Sequence, residues 1–297
     1  MDIIPYIYLT YMFISLYFMA FYFLLYVRNR DKLFDYPQLK KHFSVSVLIP
    51  AYNEEDSIKQ TVEAILKSDY DNIIEVIVLD NNSNDNTFRI AKQLARKYGK
   101  VRAVLARKQG KANALNFGIR MARGELVAVV DADSFPRSDA IRKLVGFFSE
   151  SDTGVATCPI LVRNRSKFFG RMQAMEYCII AATRKLLEGI GAIYVTPGPL
   201  ALYRKTALKD VGGFDHNNLT EDIEITWHLA SRDWARKMCL DTNVTTIAPE
   251  KIRAWWRQRK RWAMGGMQTI GKYFHMFMSK NVVGFFVLPF FILNTFL

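Results

Sequence analysis

Largely apolar runs alternate along this chain with segments whose apolar residues recur every three or four positions. Residues 45–50, 76–79, 101–105 and 125–130 have little or no polar face, the pattern of strands buried on both sides. Between the first two, Ile58, Val62, Ile65 and Leu66 stand at helical spacing. A further helix is predicted to end near Tyr98, and another runs from about Lys111 to Arg123. Asn53 and Asp56 are placed to cap the first of these helices. Strands and helices alternating every ~25–30 residues predict an α/β domain with a mostly parallel sheet between helices. The polar turn at 80–86 and the other loops after the strands then fall at the carboxyl ends, where such sheets take ligands.

The second half is less regular. Residues 168–187 read as an amphipathic helix within a longer segment, 163–188. Residues 194–203, with Pro197-Gly198-Pro199, read as a turn between short extended pieces. A tight Gly212-Gly213 loop precedes a helix opened by Thr220 and carrying Ile225, Trp227 and Leu229.

Two runs depart from this pattern. Residues 3–27 hold no Asp, Glu, Lys or Arg, and about 20 apolar residues span a bilayer core. A transmembrane helix over residues 1–30 is predicted, followed by a connector over 31–43. Asp2 precedes the run while Arg28, Arg30 and Lys32 follow it, which orients the N-terminus outward and the domain at 44–250 into the cytoplasm. A cleaved signal peptide fits poorly, because the run is long, has no basic start and lacks a small-residue cleavage site. The other run, 282–297, is short for a span and has no charged stop. It reads as the start of a C-terminal membrane helix over 281–297, from a truncated chain or from an enzyme whose last helix ends inside the bilayer. The expected location is the cell membrane, multi-pass or at least single-pass.

Half the residues are apolar, yet the formal net charge is +13. Much of the excess charge sits beside large apolar side chains. Arg163, Arg165, Lys167 and Arg171 surround Phe168, Phe169 and Met172. Across 251–280, a basic run surrounds Trp255, Trp256 and Trp262. That mixture predicts segments lying in the membrane interface, with membrane lipids as partners. Nucleic acid is not an expected partner of a chain tethered in this way. Three cysteines without a C-x-x-C pair and four scattered histidines argue against a disulfide framework and against zinc.

Three short motifs carry the candidate chemistry. Asp131-Ala132-Asp133 ends the fourth strand, so its two carboxylates share a face and suit a hard divalent ion, Mg2+ or Mn2+. Thr220-Glu221-Asp222 opens a helix, where first-turn acids are also favoured by the helix dipole alone. Gln258-Arg259-Lys260-Arg261-Trp262 lies in the basic segment. No G-x-G-x-x-G follows the first strand, and Gly110-Lys111 lacks the glycine and hydroxyl of a phosphate loop.

The order and context of these motifs resemble those of the membrane-bound family 2 glycosyltransferases, the processive synthases of cellulose, chitin, hyaluronan and poly-N-acetylglucosamine. The likeness covers residues 44–297, and the pattern at 219–224 is closest to the poly-N-acetylglucosamine synthases. It implies a GT-A fold and an inverting, metal-dependent transfer from a UDP-sugar donor to a carbohydrate or lipid acceptor. The reading favours a growing β-linked polysaccharide, with single-sugar transfer to a polyprenyl phosphate as the alternative. A non-catalytic membrane assembly subunit is a third reading. By resemblance, Ala51, Tyr52 and Glu54 border the base and ribose, Asp80 reads the uracil edge, and Lys111 and Asp131 contact the donor. Without the other motifs, Asn53 and Asp80 are better explained as cap and turn residues. Asp133 would ligate the metal, Asp222 act as general base beside Glu221, and Arg261 meet the leaving diphosphate. Gln258 and Trp262 would border the acceptor and Gly198 the donor sugar, although the prolines flanking Gly198 depart from the family's usual small residues.

Overall fold

The computed structural model describes residues 3–296, with side chains through Leu293. Met1, Asp2 and Leu297, at the outer ends of the predicted membrane helices over 1–30 and 281–297, lie outside the described residues. The first run is helix α1 (Ile4–Asn29), long and apolar enough to cross a membrane and almost wholly exposed.

Strands β1 (Val45–Ala51), β2 (Ile73–Asp80), β3 (Val101–Leu105) and β4 (Leu126–Val129) lie parallel in the order β3-β2-β1-β4. Helices α2 (Ile58–Leu66), α3 (Thr87–Lys97) and α4 (Lys111–Met121) connect them. Alternate residues of a strand face opposite ways, and β1 is buried on both faces. Val45, Val47 and Ile49 enter a core with α2 and α3, while Leu48 enters a second core with Ala114, Leu115 and Ile119 of α4. This two-sided burial accounts for apolar runs without alternation. Strand order reverses at β1, so a crevice opens between the carboxyl ends of β1 and β4, the usual ligand position in open α/β sheets.

The chain then adds β5 (Ser134–Pro136), α5 (Ala140–Gly146), β6 (Thr153–Thr157), β7 (Ile160–Val162) and α6 (Phe168–Glu188). After it come β8 (Ala201–Arg204), α7 (Lys205–Asp210), α8 (Glu221–Ser231), β9 (Ala235–Met238) and β10 (Val244–Thr246). Strand β8 joins β4 and β6 antiparallel, and β9 pairs parallel with β6, completing a seven-stranded, mostly parallel sheet. Strands β5, β10 and β7 form a small second sheet.

Helix α9 (Ile252–Tyr273) carries the basic, Trp-rich segment. A π-helical turn (Val283–Val287) leads into α10 (Leu288–Phe296). The apolar part of this last helical stretch is shorter than a membrane span. It packs on α1 through Phe18–Phe290 and Phe21–Phe286, each 5.6 Å between ring centroids, and joins Trp227 of α8 in a third apolar cluster.

One local expectation fails. Helix α2 starts after Ser57 rather than at Asn53 or Asp56. Asn53 sits in the left-handed region (φ 56°) and accepts a hydrogen bond from the Asn84 amide, while its own amide donates to Ser83. Its side chain binds the loop after β2 in place of a helix end, an exchange that Asn tolerates well.

Candidate active site

The fourth strand ends at Val129, and the backbone turns so that Asp131 and Asp133 line a cavity of ≈ 360 Å3. The opposite wall is the N-terminus of α8, where Thr220 is the cap residue and Glu221 and Asp222 form the first turn. Lys111, at the start of α4, bridges the two motifs, with Nζ 2.6 Å from Asp131 and 2.8 Å from Glu221. Burial disfavours the charged form of Lys111, but the two carboxylates outweigh it and raise its pKa. Burial likewise works against the Glu221 carboxylate, and Lys111 overcomes it and holds the group below its ordinary range.

Asp222 has no such cation on it among the described residues. Burial, reinforced by Glu221 and partly offset by Lys111, pushes its pKa up to about 6. Two adjacent acids thus diverge: an ion pair keeps Glu221 ionised, and burial lets Asp222 hold its proton nearer to neutral pH. Asp133 is also raised, by burial and by the neighbouring Asp131 charge. Glu54, in the turn after β1, is raised by burial, against a Ser57 hydrogen bond, with the charges of Asp133 and Asp131 adding to the effect. A divalent cation would relieve this carboxylate repulsion. No group of three or more potential ligands stands together among the described residues. Asp131 and Asp133, both on the cavity, could supply the one or two carboxylates by which a Mg2+-type ion is held when phosphate oxygens and water complete its shell.

The spacing of the basic motif follows from one helix face. Gln258, Arg261, Trp262 and Gly265 are at i, i+3, i+4 and i+7 of α9, and the first three line the cavity. A Cβ on Gly265 would lie 2.2 Å from Thr220 Oγ1 and 2.6 Å from its Cγ2, so glycine alone lets α9 approach the acidic motif. One turn further, the Leu219 amide donates to Gln268 Oε1 at 2.9 Å, and Asn218 Nδ2 donates to Thr269 Oγ1 at 2.9 Å. Gly265→Ala should therefore cost about 1–3 kcal/mol through overpacking. An exposed helical glycine would instead gain about 1 kcal/mol on the same change. A fall in Tm with lower activity is the expected result, and a rise in Tm would refute this packing account.

Trp262 is oriented by a cation on its face. The Arg259 guanidinium lies 4.5 Å from its ring centroid and 5.3 Å from that of Trp255, and Glu176 of α6 grips Arg259 with both carboxylate oxygens. Gln258 accepts from Gln173 Nε2 at 2.9 Å. Gly198 lies over the ion pair, where a Cβ would come within 2.8 Å of Asp131 Oδ2 and of Lys111 Nζ. Its loop is tied to α8 by Thr196, whose amide donates to Thr226 Oγ1 at 2.9 Å.

Of the candidate residues, Lys111, Asp131, Asp133, Gly198, Glu221, Asp222, Gln258, Arg261 and Trp262 line one cavity. Ala51, Tyr52, Glu54 and Asp80 do not line it. They sit beside it at the ends of β1 and β2, where Ala51 pairs with Asp80 in the sheet. Tyr52 is exposed, and Asp80 is buried with Oδ1 lacking a hydrogen-bond partner among the described residues. A buried, unsatisfied acceptor at a strand end is a ready partner for a ligand N–H. Sequence reasoning missed Asn81, which accepts from the Gly110 amide at 2.7 Å and donates to Ala106 and Lys108 carbonyls, holding the loop ahead of Lys111. It also missed Gly265, Gln268, Thr269, Glu176 and Arg184. Only the glycine had a local signal, since a glycine inside a helical pattern suggests close packing.

Residues 42–265 match the family described as glycosyltransferase like family 2. The chain belongs to glycosyltransferase family 2. It is 32% identical over 248 residues to a poly-beta-1,6-N-acetyl-D-glucosamine synthase of Staphylococcus epidermidis, covering 83% of this chain and 60% of the relative. The chain thus spans about three fifths of the length of the curated relatives it matches. Among solved structures, a mannosyltransferase from Pyrobaculum calidifontis in complex with GDP-Man and Mn2+ covers 93% of this chain and is itself covered to 81% (TM-score 0.70, 22% identity). TarS of S. aureus, in complex with UDP-GlcNAc, covers 76% of this chain and is covered to 66% (TM-score 0.54, 18% identity). These likenesses identify the GT-A-like fold. The family 2 domain of this chain is a glycosyltransferase domain, and the solved neighbours carry nucleotide sugars, one of them with Mn2+.

Proposed function

We propose that this chain is a membrane-bound inverting glycosyltransferase that moves a sugar from a UDP-sugar to a growing β-linked polysaccharide. The observation that carries this reading is the single cavity shared by the three motifs, with a poised carboxyl at Asp222 and cations at Lys111 and Arg261. Asp222 takes the proton from the acceptor hydroxyl as its oxygen attacks the anomeric carbon. Arg261 meets the charge that accumulates on the departing diphosphate, where stabilisation acts on the transition state itself. Lys111 and Asp131 hold the donor, and Glu221 keeps Lys111 in place. Trp262, steadied by Arg259, offers its face to an acceptor sugar, and Gln258 lies beside it. Asp133 would hold Mg2+ or Mn2+ with help from Asp131. When bound, the ion supplies Lewis-acid neutralisation of the diphosphate.

The uracil base and ribose would lie outside the cavity, against Ala51, Tyr52 and Glu54, with the unsatisfied Asp80 Oδ1 accepting the imide N–H. Asp80→Asn is expected to weaken UDP binding about 10-fold or more, the scale of one charged hydrogen bond. Titration calorimetry with UDP checks this, and unchanged affinity would remove Asp80 from the pocket.

Helix α1 would cross the membrane with the catalytic domain on the cytoplasmic side. Helices α6 and α9 would lie in the lipid interface, since Phe168, Met175, Ile179, Ile252 and Trp256 are exposed among basic neighbours. The deciding experiment is UDP release by detergent-solubilised protein across a panel of UDP-sugars with Mn2+ or Mg2+, followed by sizing of the product. A polymer made from one donor supports the reading, and no turnover of any UDP-sugar refutes it. A second reading, single-sugar transfer to a polyprenyl phosphate, is favoured by the apolar wall that Ile180, Ala181 and Phe291 give the cavity. Addition of one sugar only would select it.

A further inference from the structure

The cavity lining is mixed. Lys111, Asp131, Asp133, Glu221 and Asp222 give it charge, while Ile180 and Ala181 of α6, Tyr194, Val195 and Phe291 of α10 give it apolar wall. A further cation, Arg184, lines it from the same face of α6 as Ile180 and Ala181. Its side chain is only 7% exposed. None of the described residues gives it an ion pair or a hydrogen bond, in contrast to the nearly buried Arg236, whose guanidinium donates to the Trp234, Ile193 and Gly191 carbonyls.

A buried guanidinium without a partner is costly. Burial takes away much of its hydration, and no fixed acceptor among the described residues replaces it. Burial lowers its pKa, with Tyr194 and Asp222 as the leading opposing influences. Folding alone does not require the group, because a neutral side chain of similar volume would fill the position at less cost. The planar fork of an arginine matches the two oxygens of a phosphate or carboxylate better than it matches a single hydroxyl. On the proposed reading, Lys111 of α4 and Arg261 of α9 already serve the anionic donor. We propose that Arg184 forms an acceptor-side oxyanion subsite that binds a phosphate or carboxylate carried by the acceptor molecule. This rests on the glycosyltransferase reading and narrows its acceptor to an anionic one. A lipid phosphate and an acidic glycan share that chemistry, and the apolar wall suits the hydrocarbon next to a lipid phosphate.

The test compares wild type, R184Q and R184M in detergent. Geranyl phosphate, a glucuronic-acid-terminated disaccharide and a neutral N-acetylglucosamine disaccharide serve as acceptors. Wild type should favour one anionic acceptor over the neutral one in kcat/KM, and which one responds identifies the source of the oxyanion. In both variants that preference should fall about 10- to 100-fold, mainly through KM, the scale of charge-assisted hydrogen bonding. In the absence of substrate, R184M should melt no lower than wild type, because it removes an unpaired buried charge. The preferred anion should raise the Tm of wild type and not of R184M. Equal use of neutral and anionic acceptors by wild type would overturn the proposal, as would a preference that survives in R184M or a Tm of R184M well below wild type. The melting arms need no turnover. A wild type that turns over no donor yet gains stability from the anion through Arg184 would overturn the transferase reading and leave the subsite standing.

Discussion

Asp222→Asn is expected to lower kcat about 10²- to 10⁴-fold, the usual contribution of a general base. Asparagine keeps the size of the side chain and its place in the first turn of α8, but it cannot accept the acceptor's proton. The pH profile gives a second readout. Asp222 titrates at about 6 because it is buried beside Glu221, and only its ionised form is a base. The kcat/KM of wild type should therefore fall about tenfold per pH unit below about 6, and the remaining activity of the variant should lack that limb. Stability should move the other way. The folded pKa of about 6 exceeds the ordinary carboxylate value of about 4. Between those values the folded state binds more protons than the unfolded state, so this group's contribution to stability falls as pH rises and the full penalty applies above 6. A neutral amide in its place escapes the penalty, so the Asp222→Asn variant should melt at or above the wild-type temperature at pH 7. Normal turnover with an unchanged acid limb in a well-folded variant would eliminate Asp222 as the base.

The second large effect concerns the carboxylates at the end of β4. Burial and Asp131 raise the Asp133 pKa, which measures how poorly the site tolerates its own negative charge without a cation. EDTA is expected to stop turnover, and added Mn2+ or Mg2+ to restore it. Asp133→Asn should lower kcat about 10³-fold, corresponding to the several kcal/mol that a Lewis-acid ion contributes at a developing phosphate charge. The same variant should need more metal for half-maximal rate. Mn2+ binding followed by electron paramagnetic resonance, without donor, separates lost affinity from lost chemistry. Turnover indifferent to both EDTA and the substitution would show that Lys111 and Arg261 neutralise the diphosphate alone.

Much of the scaffold was legible along the chain because its determinants are local. Each of β1, β2 and β4 is buried on both faces, so each appears as an apolar run without alternation. Residues 3–27 read as a helix able to span a bilayer because length and apolarity suffice for that statement. The helix-start motif could be placed for similar reasons, whereas Asp131 and Asp133 lie in the turn after β4 and not on an extended strand end, so their shared side is set by that turn. Asn53 misled, since its cap chemistry and its loop-bridging chemistry use the same side-chain atoms, and only the nearness of residues 83 and 84 chose between them.

What the sequence by itself determined is the set of groups: two carboxylates just after a strand, two more in a helix turn, and Gln258, Arg261 and Trp262 within a basic, Trp-rich segment. The tertiary structure alone decided how those groups differ. Glu221 and Asp222 are neighbours with the same kind of side chain, yet Lys111, over 100 positions earlier, sits on the first and leaves the second to be raised by burial. Gly265 matters because Thr220 lies against it, and Trp262 is held because Glu176 pins Arg259 beneath it. Arg184 carried no signal in the sequence, and only the fold brings it to the cavity wall without a partner among the described residues. Ionisation and orientation depend on desolvation and on charges a few ångströms away, and those distances come into being only when remote segments pack.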